Sequence, residues 1–249
     1  MKIIGVDLHA RQQTIAMLDK DTGELVEKTI EHQGEKVREF YAAFSGPVLV
    51  GIEATGSMQW FLELMEELGI ACRVGHPQKI RKAETWKQKH DRRDARLLLQ
   101  LLAENRFPPI WMPSTEQRDL RTLLRHRHQW VRLRSRVQHT LQSMALNRGL
   151  RLGHSLWSRV GQQALKALPP HASQRRAALL ALYPGLQGSI DELDKKVCAE
   201  VHQHPQARRL LTHPGVGPIT ALATEVFLGD PTRFADGKAV ASYIGLIPS

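Results

Sequence analysis

The chain has 249 residues, of which 42% are hydrophobic and 24% charged, enough for one large domain or two to three small ones with real apolar cores. No apolar run reaches membrane-spanning length and the N-terminus enters a strand-like run directly, which argues against a membrane protein or a secretory leader and for a cytoplasmic one. Cys72 and Cys198 lie far apart outside any CxxC spacing, so neither a disulfide framework nor a structural zinc site is expected, and both read as small core residues.

The formal charge of +10 is uneven: residues 108–176 hold thirteen Arg and Lys against Glu116 and Asp119, and so carry essentially all of the excess. A basic stripe of this kind seeks phosphate.

Strands are expected at residues 2–8, 12–19, 24–31, 47–53 and 71–75, with helices near 35–44, 57–68 and 91–104. Asp7 is a charge planted in the first strand, and Glu53 ends the fourth at Glu53-Ala54-Thr55-Gly56. There Gly56 opens a turn and Ser57 caps the next helix. Asp91 and Asp94 are three residues apart on a helix, hence on one face and one turn apart. Oxygen ligands in such an array suit magnesium, and two ions roughly 3.5–4 Å apart stabilise both the attacking and the leaving oxygen of an in-line displacement. Three early strands followed by alternating helix and strand resemble the ribonuclease H arrangement, an α/β fold with a mixed sheet and helices. In that fold the usual chemistry needs an acid on the first strand, another ending the fourth, and a last acid or pair on a late helix. The competing reading of each acid alone is a surface carboxylate, with Asp91 and Asp94 paired to Arg92, Arg93 and Arg96.

The run Arg106-Phe107-Pro108-Pro109-Ile110-Trp111-Met112-Pro113 cannot be helical throughout, because its prolines fix the chain and push the residues before them to extended geometry. It reads as a boundary between a domain over 1–107 and a basic helical or coiled-coil region over 114–205. Ser114 and Gln117 form a capping-box pattern opening a helix that runs to about Asn147, with Leu120, Leu124, Val131, Val137, Leu141 and Met144 as its apolar stripe. Further helices are expected from Ser155 to Leu168, from Ala172 to a break at Pro184-Gly185, and from Gln187 to His204. Arg118, Arg121, Arg125, Arg127, Arg132, Arg134 and Arg136 include like-charge i, i+4 pairs, which a polyanion would relieve and which otherwise make a solvated basic face. His126 and His128 read as solvent-facing, and Trp130 as packing rather than a base-stacking platform. Within 206–249, Pro214-Gly215-Val216-Gly217-Pro218 resembles the turn of a helix-hairpin-helix, in which Gly215 and Gly217 let backbone N–H groups approach a phosphate. A plain inter-helix turn has the same pattern.

Gly5-Val6-Asp7-Leu8-His9, Glu53-Ala54-Thr55-Gly56, Asp91-Arg92-Arg93-Asp94-Ala95, and the stretch from Pro214 to Ala241-Ser242-Tyr243-Ile244-Gly245-Leu246-Ile247-Pro248 together resemble the DEDD-type transposases of the IS110 insertion-sequence family, over essentially the whole chain. The resemblance implies a RuvC-like N-terminal domain with Asp7, Glu53, Asp91 and Asp94 as catalytic and metal-holding acids for Mg2+, with Mn2+ as substitute. It implies a coiled-coil region pairing copies into a homo-oligomer, and a C-terminal transposase domain that supplies a serine. The expected activity is cleavage and transfer of DNA at element ends and target, directed by a guide RNA, through a covalent serine–DNA intermediate. Ala10, Met58 and His90 depart from residues common in the family. Its serine normally follows the Tyr-Ile-Gly-Leu-Ile-Pro stretch in a Ser-Gly context. Ser249 directly follows Pro248 and is not assigned that role, so the expectation is a truncated product lacking the nucleophile. Two other readings remain: a resolvase-like nuclease in which the acids activate water, and a non-catalytic nucleic-acid-binding fragment acting through residues 108–176. A sugar-kinase or actin-like ATPase is disfavoured by the late acid pair and by the absence of a P-loop.

Overall fold

The computed structural model describes residues 1–83, 91–151, 156–166 and 169–247, without the side chains of Ala83, Asp91, Arg92 and Ala164. The chain forms two compact units, Met1–Met112 and Pro113–Ser249.

The first unit is a five-stranded mixed sheet covered on both faces by helices, an α/β fold of the RuvC-like kind. Strands β1 (Lys2–Leu8), β2 (Gln12–Asp19) and β3 (Leu25–Glu31) form an antiparallel meander, while β4 (Val48–Glu53) and β5 (Ala71–Gly75) run parallel to β1, giving the order β3-β2-β1-β4-β5. Side chains alternate across a strand, and both faces here are apolar. Ile4, Val6, Val50 and Ile52 join Val37, Tyr41, Phe61 and Met65 in one core, under α1 (Lys36–Ala42) and α2 (Gln59–Glu67). Ile3 and Ala16 join Ile80, Ala95, Leu98, Leu99 and Leu102 in the other, under α3 (Pro77–Ala83) and α4 (Asp91–Ala103). Burial on both faces explains why β1 and β4 read as near-continuous apolar runs. Buried Gln13 donates its Nε2 to the Tyr41 hydroxyl at 3.1 Å, while its Oε1 has no hydrogen-bond partner among the described residues.

Two local expectations change. Ser57 makes no cap: α2 starts from Met58, already in helical geometry, whose carbonyl takes Phe61 N and Leu62 N at 3.1 Å. Helix α3 was not expected. Its signal is Pro77 at the first helical position, where a missing N–H costs nothing.

Helix α4 ends in a left-handed Asn105 (φ 58°), with Arg106 N donating to Leu101 O and Asn105 N to Leu102 O. Asn is one of the few residues that tolerates this conformation. The turn sends Phe107 back under the sheet, where an added Cβ at Gly51 or Gly75 would lie 3.1 or 2.8 Å from its ring. Residues 108–110 then lie along β5, through Ile110 N to Val74 O (2.8 Å) and a bridge from Gly75 to Pro109.

In the second unit, α5 (Thr115–Leu146) opens with the expected capping box between Ser114 and Gln117, worth about 1 kcal/mol. Helix α6 (Arg159–Lys166) lies within the expected span, with Ser158 Oγ accepting from Gly161 N at 3.1 Å, and the expected ends Ser155 and Leu168 lie outside the described residues. The expected break at Pro184-Gly185 is absent: α7 (Pro170–Gln203) is one helix with Pro184 inside it. A proline there removes one backbone bond and costs about 3 kcal/mol, which packing on both sides of it outweighs. Leu179, Leu180, Tyr183 and Leu186 pack against Val137, Leu141 and Ala145, and Val197 and Val201 against Leu120 and Leu124.

Polar rungs show that α5 and α7 are antiparallel. Arg127 pairs with Asp194, Arg134 Nη1 donates to Gln187 at 2.8 Å, and Gln138 Nε2 donates to the Tyr183 hydroxyl at 3.0 Å. Each step forward on α5 is matched by an equal step back on α7. Helices α8 (Pro205–Leu210), α9 (Pro218–Leu228) and α10 (Gly237–Tyr243) complete the unit, with Ala207, Ala221, Leu222 and Val226 in one core with Leu120, Leu124, Val197 and Val201. Cys198, expected in a core, is exposed on α7, whereas Cys72 packs against the sheet core.

Candidate active site

Parallel pairing of β1 with β4 fixes the first two acids. Val6 is level with Ile52, so Asp7 and Glu53, one step further on, stand at the same end of the sheet on adjacent strands. Both have the parity of Gly5 and Gly51, hence the face covered by α4. Asp7 is mostly buried, with the His9 Nε2 3.0 Å from its Oδ2, and Glu53 is one-third exposed, with Arg81 Nη2 3.7 Å from its Oε1. Each carboxylate thus has a nearby cationic or protonatable group.

The third element is set by a glycine. A Cβ added at Gly5 would lie 2.3 Å from Ala95 O and 2.4 Å from Leu99 N, both backbone atoms of α4. The helix therefore rests directly on β1 two residues before Asp7. Asp94 precedes Ala95, and position 91 is one turn before Ala95 on the same face of the helix. Asp94 is half-buried, and the Asp91 side chain lies outside the described residues. Arg96, expected as a partner for these acids, pairs with Glu27 of β3 instead.

The structure thus puts Asp7 and Glu53 side by side and Asp94 on the helix that backs their strands. Among the described residues it does not gather three His, Cys, Asp or Glu side chains within ligating distance of one point. The donor set is all carboxylate, which fits a hard divalent cation such as magnesium. His9 and Arg81 are neighbours of the acids that sequence reasoning did not single out. The signal for His9 was its two-residue offset from Asp7, which returns a side chain to the same face of an extended chain.

The basic stripe divides. Arg118 is buried and donates to Pro113 O (3.0 Å) and Thr115 Oγ1 (2.8 Å). Arg121 donates to Val226 O and Phe227 O, while Arg127 and Arg134 bridge to α7. Arg125, Arg132 and Arg136 are exposed. A groove along α5 is lined by Arg132, Arg136, His128, His139 and Leu133, with Arg175 from α7. His126 is exposed as expected and accepts the Trp130 indole N–H at 3.0 Å, leaving Trp130 half-buried at the surface rather than in a core. In the hairpin, Gly215 has φ 81° and Gly217 precedes Pro218 at the start of α9, so only Gly215 needs glycine's left-handed freedom. An added Cβ at either would meet nothing within 4 Å.

Comparison with known proteins fits this geometry. Residues 4–148 match the family model described as a transposase of the DEDD type of IS110 elements, and residues 207–249 match the transposase model of the IS116/IS110/IS902 family. The chain is 26% identical to a probable family 20 transposase of Pseudomonas aeruginosa, over 98% of this chain and 73% of that protein. It is 23% identical to the transposase for insertion sequence element IS1328 of Yersinia enterocolitica, over 99% of this chain and 73% of the relative. It is 22% identical to that for IS1111A of Coxiella burnetii, over 100% and 69%. A putative transposase of Sinorhizobium fredii is matched over 53% of its length at 25% identity. No described helix is long and apolar enough to cross a membrane. With a family model covering more than half of its length, the chain belongs to the IS110 family of insertion-sequence transposases.

Proposed function

We propose that the first unit is the metal-dependent catalytic part of a DNA strand-cleaving and strand-transferring enzyme, with Asp7, Glu53, Asp91 and Asp94 as the acids that hold Mg2+ or Mn2+. The observation that carries this is the level placement of Asp7 and Glu53 on adjacent parallel strands, on the face where Gly5 lets α4 rest against the sheet. Magnesium, when bound, supplies the charge that stabilises the attacking and leaving oxygens of an in-line phosphoryl displacement. Asp7 and Glu53 present oxygens from rigid strand ends, and Asp94 stands on the helix laid over them. Arg81 sets a positive charge 3.7 Å from Glu53, and His9 sets a ring nitrogen 3.0 Å from Asp7.

The exposed Arg125, Arg132 and Arg136 act as phosphate contacts for element-end and target DNA and for an element-encoded guide RNA. A second copy pairs along the α5–α7 hairpin, a reading supported by its length and by exposed Leu133 at the α5 groove. In the full-length form, strand transfer proceeds through a serine–DNA intermediate, as the family resemblance implies.

The test is cleavage of end-labelled element DNA with magnesium and the element's RNA. Magnesium-dependent cleavage that disappears in Glu53→Gln and Asp94→Asn is expected. Binding without cleavage that is indifferent to both substitutions would replace this reading with that of a nucleic-acid-binding fragment. Free ends with no protein attached would make water, not a serine hydroxyl, the nucleophile.

A further inference from the structure

Three guanidinium groups converge at the C-terminal end of α9. Arg121 Nε donates to Val226 O at 2.8 Å and its Nη2 to Phe227 O at 3.3 Å, while Arg233 Nε donates to Leu228 O at 2.9 Å. The last carbonyls of a helix have no partner within it, so these two arginines have a structural use. It fixes where their charges sit.

Arg125 has no such use. One turn beyond Arg121, it is exposed, 5.4 Å from the Phe227 ring that Arg121 approaches to 5.0 Å. Arg233 lies 4.1 Å from the Phe234 ring and 4.4 Å from that of Tyr243, and the two rings meet edge to face at 5.3 Å. Tyr243 is 48% exposed, and the two halves meet at the end of α9, where Arg121 and Arg233 hold the successive carbonyls of Val226, Phe227 and Leu228.

Positive charge is concentrated at this helix end. Burial pushes the Arg121 guanidinium below its ordinary pKa, and the charges of Arg125 and Arg233 push the same way against the Tyr243 hydroxyl. The Asp230 carboxylate feels Arg233, and its Oδ1 accepts from Thr232 N and Thr232 Oγ1. The helix end itself offers about half a negative charge. Arg125, exposed and set against the Phe227 ring beside Arg121, offers its charge to an anion, and the exposed Tyr243 ring offers a face to a flat partner.

We propose that this patch binds one unpaired nucleotide, with its phosphate on Arg125 beside Arg121 and its base against Tyr243. The inference rests on reading the chain as a nucleic-acid enzyme and adds to it a site outside the acid cluster, formed by residues of the basic helix and the C-terminal segment. An unpaired strand is favoured over a duplex because a base can stack on a protein ring only when released from its own stack.

The test is fluorescence anisotropy of the full chain with short single strands of DNA and of RNA of one sequence, and with the matching duplex, across a salt series. Tyr243→Ala should weaken single-strand binding by at least about fivefold, the lower end of what one stacked base contributes, with little change for duplex. Tyr243→Phe keeps the ring and should bind like wild type. Arg125→Gln should reduce the slope of log affinity against log salt by about 0.7, one phosphate's worth for a single strand. Lys20→Gln, an exposed lysine of the sheet unit, controls for net charge and should do neither. The strand, DNA or RNA, that shows the Tyr243→Ala loss is the source of the nucleotide. If wild type binds while Arg125→Gln and Tyr243→Ala both behave like Lys20→Gln, the site is refuted. Failure of wild type to bind any nucleic acid refutes it together with the proposed function. The stated losses in a protein that never cleaves would uphold the site and remove only the enzymatic reading.

Discussion

The two units use charge in opposite ways. Met1–Met112 holds sixteen basic and sixteen acidic side chains, whereas Pro113–Ser249 holds nineteen basic against nine acidic. In the balanced unit, a few carboxylates gain meaning from placement: strand register levels Asp7 with Glu53, and a missing Cβ at Gly5 admits the helix that carries Asp94. In the basic unit no single arginine is decisive, and several of them first serve the fold. Arg118 is buried at the start of α5, Arg121 caps α9, and Arg127 and Arg134 bridge to α7. Net charge alone therefore overstates the exposed cationic surface, which is carried by residues such as Arg125, Arg132 and Arg136.

Mutations can sharpen this contrast. The largest effect is expected from Gly5→Ala, whose new methyl would collide with backbone at 2.3 and 2.4 Å. A destabilisation of about 3 kcal/mol or more in urea unfolding, with loss of metal binding, is expected; a near-neutral result would mean that α4 is free to lift. Leu141→Ala, at a fully buried position between α5 and α7, should cost about 2–5 kcal/mol in the same measurement without altering metal affinity. Pro184→Ala restores a backbone donor inside α7 and should stabilise by about 1–3 kcal/mol; a loss of stability would show that the packing depends on the proline. Arg134→Gln breaks a bond to α7, whereas Arg136→Gln only removes an exposed charge. The first should lower stability by about 1 kcal/mol, and the second should leave the melting temperature unchanged and flatten the salt dependence of DNA binding by about one phosphate. The smallest test uses the thiols. Burial pushes Cys72 up to about 12, so at pH 8 it stays protonated while exposed Cys198 reacts; one fast equivalent with a thiol reagent is expected, and two would place Cys72 nearer solvent.

Much of the sheet unit was legible because its signals are local. Apolar runs ending in Asp7 and Glu53 mark strands whatever they pack against, and the i, i+3 spacing of Asp91 and Asp94 fixes a helix face. The long α7 was not legible, since Pro184-Gly185 is a strong local stop and the contacts that override it come from α5, some forty residues earlier at Gln138 and Leu141. The α9 patch was hidden for a similar reason: Arg121, Arg233 and Tyr243 are brought together only by the tertiary fold. Exposure of Cys198 followed from its place on α7 beside, rather than on, the stripe formed by Leu193, Val197 and Val201.

The central claim is that one end of the sheet gathers acids for a divalent cation. Calorimetric titration of the full chain with Mg2+ or Mn2+, for wild type beside Asp7→Asn and Glu53→Gln, tests it most directly. The account predicts saturable binding by wild type and at least a tenfold loss in each variant, since even the loss of an outer-shell partner costs about that much. Equal affinity in all three proteins would contradict it.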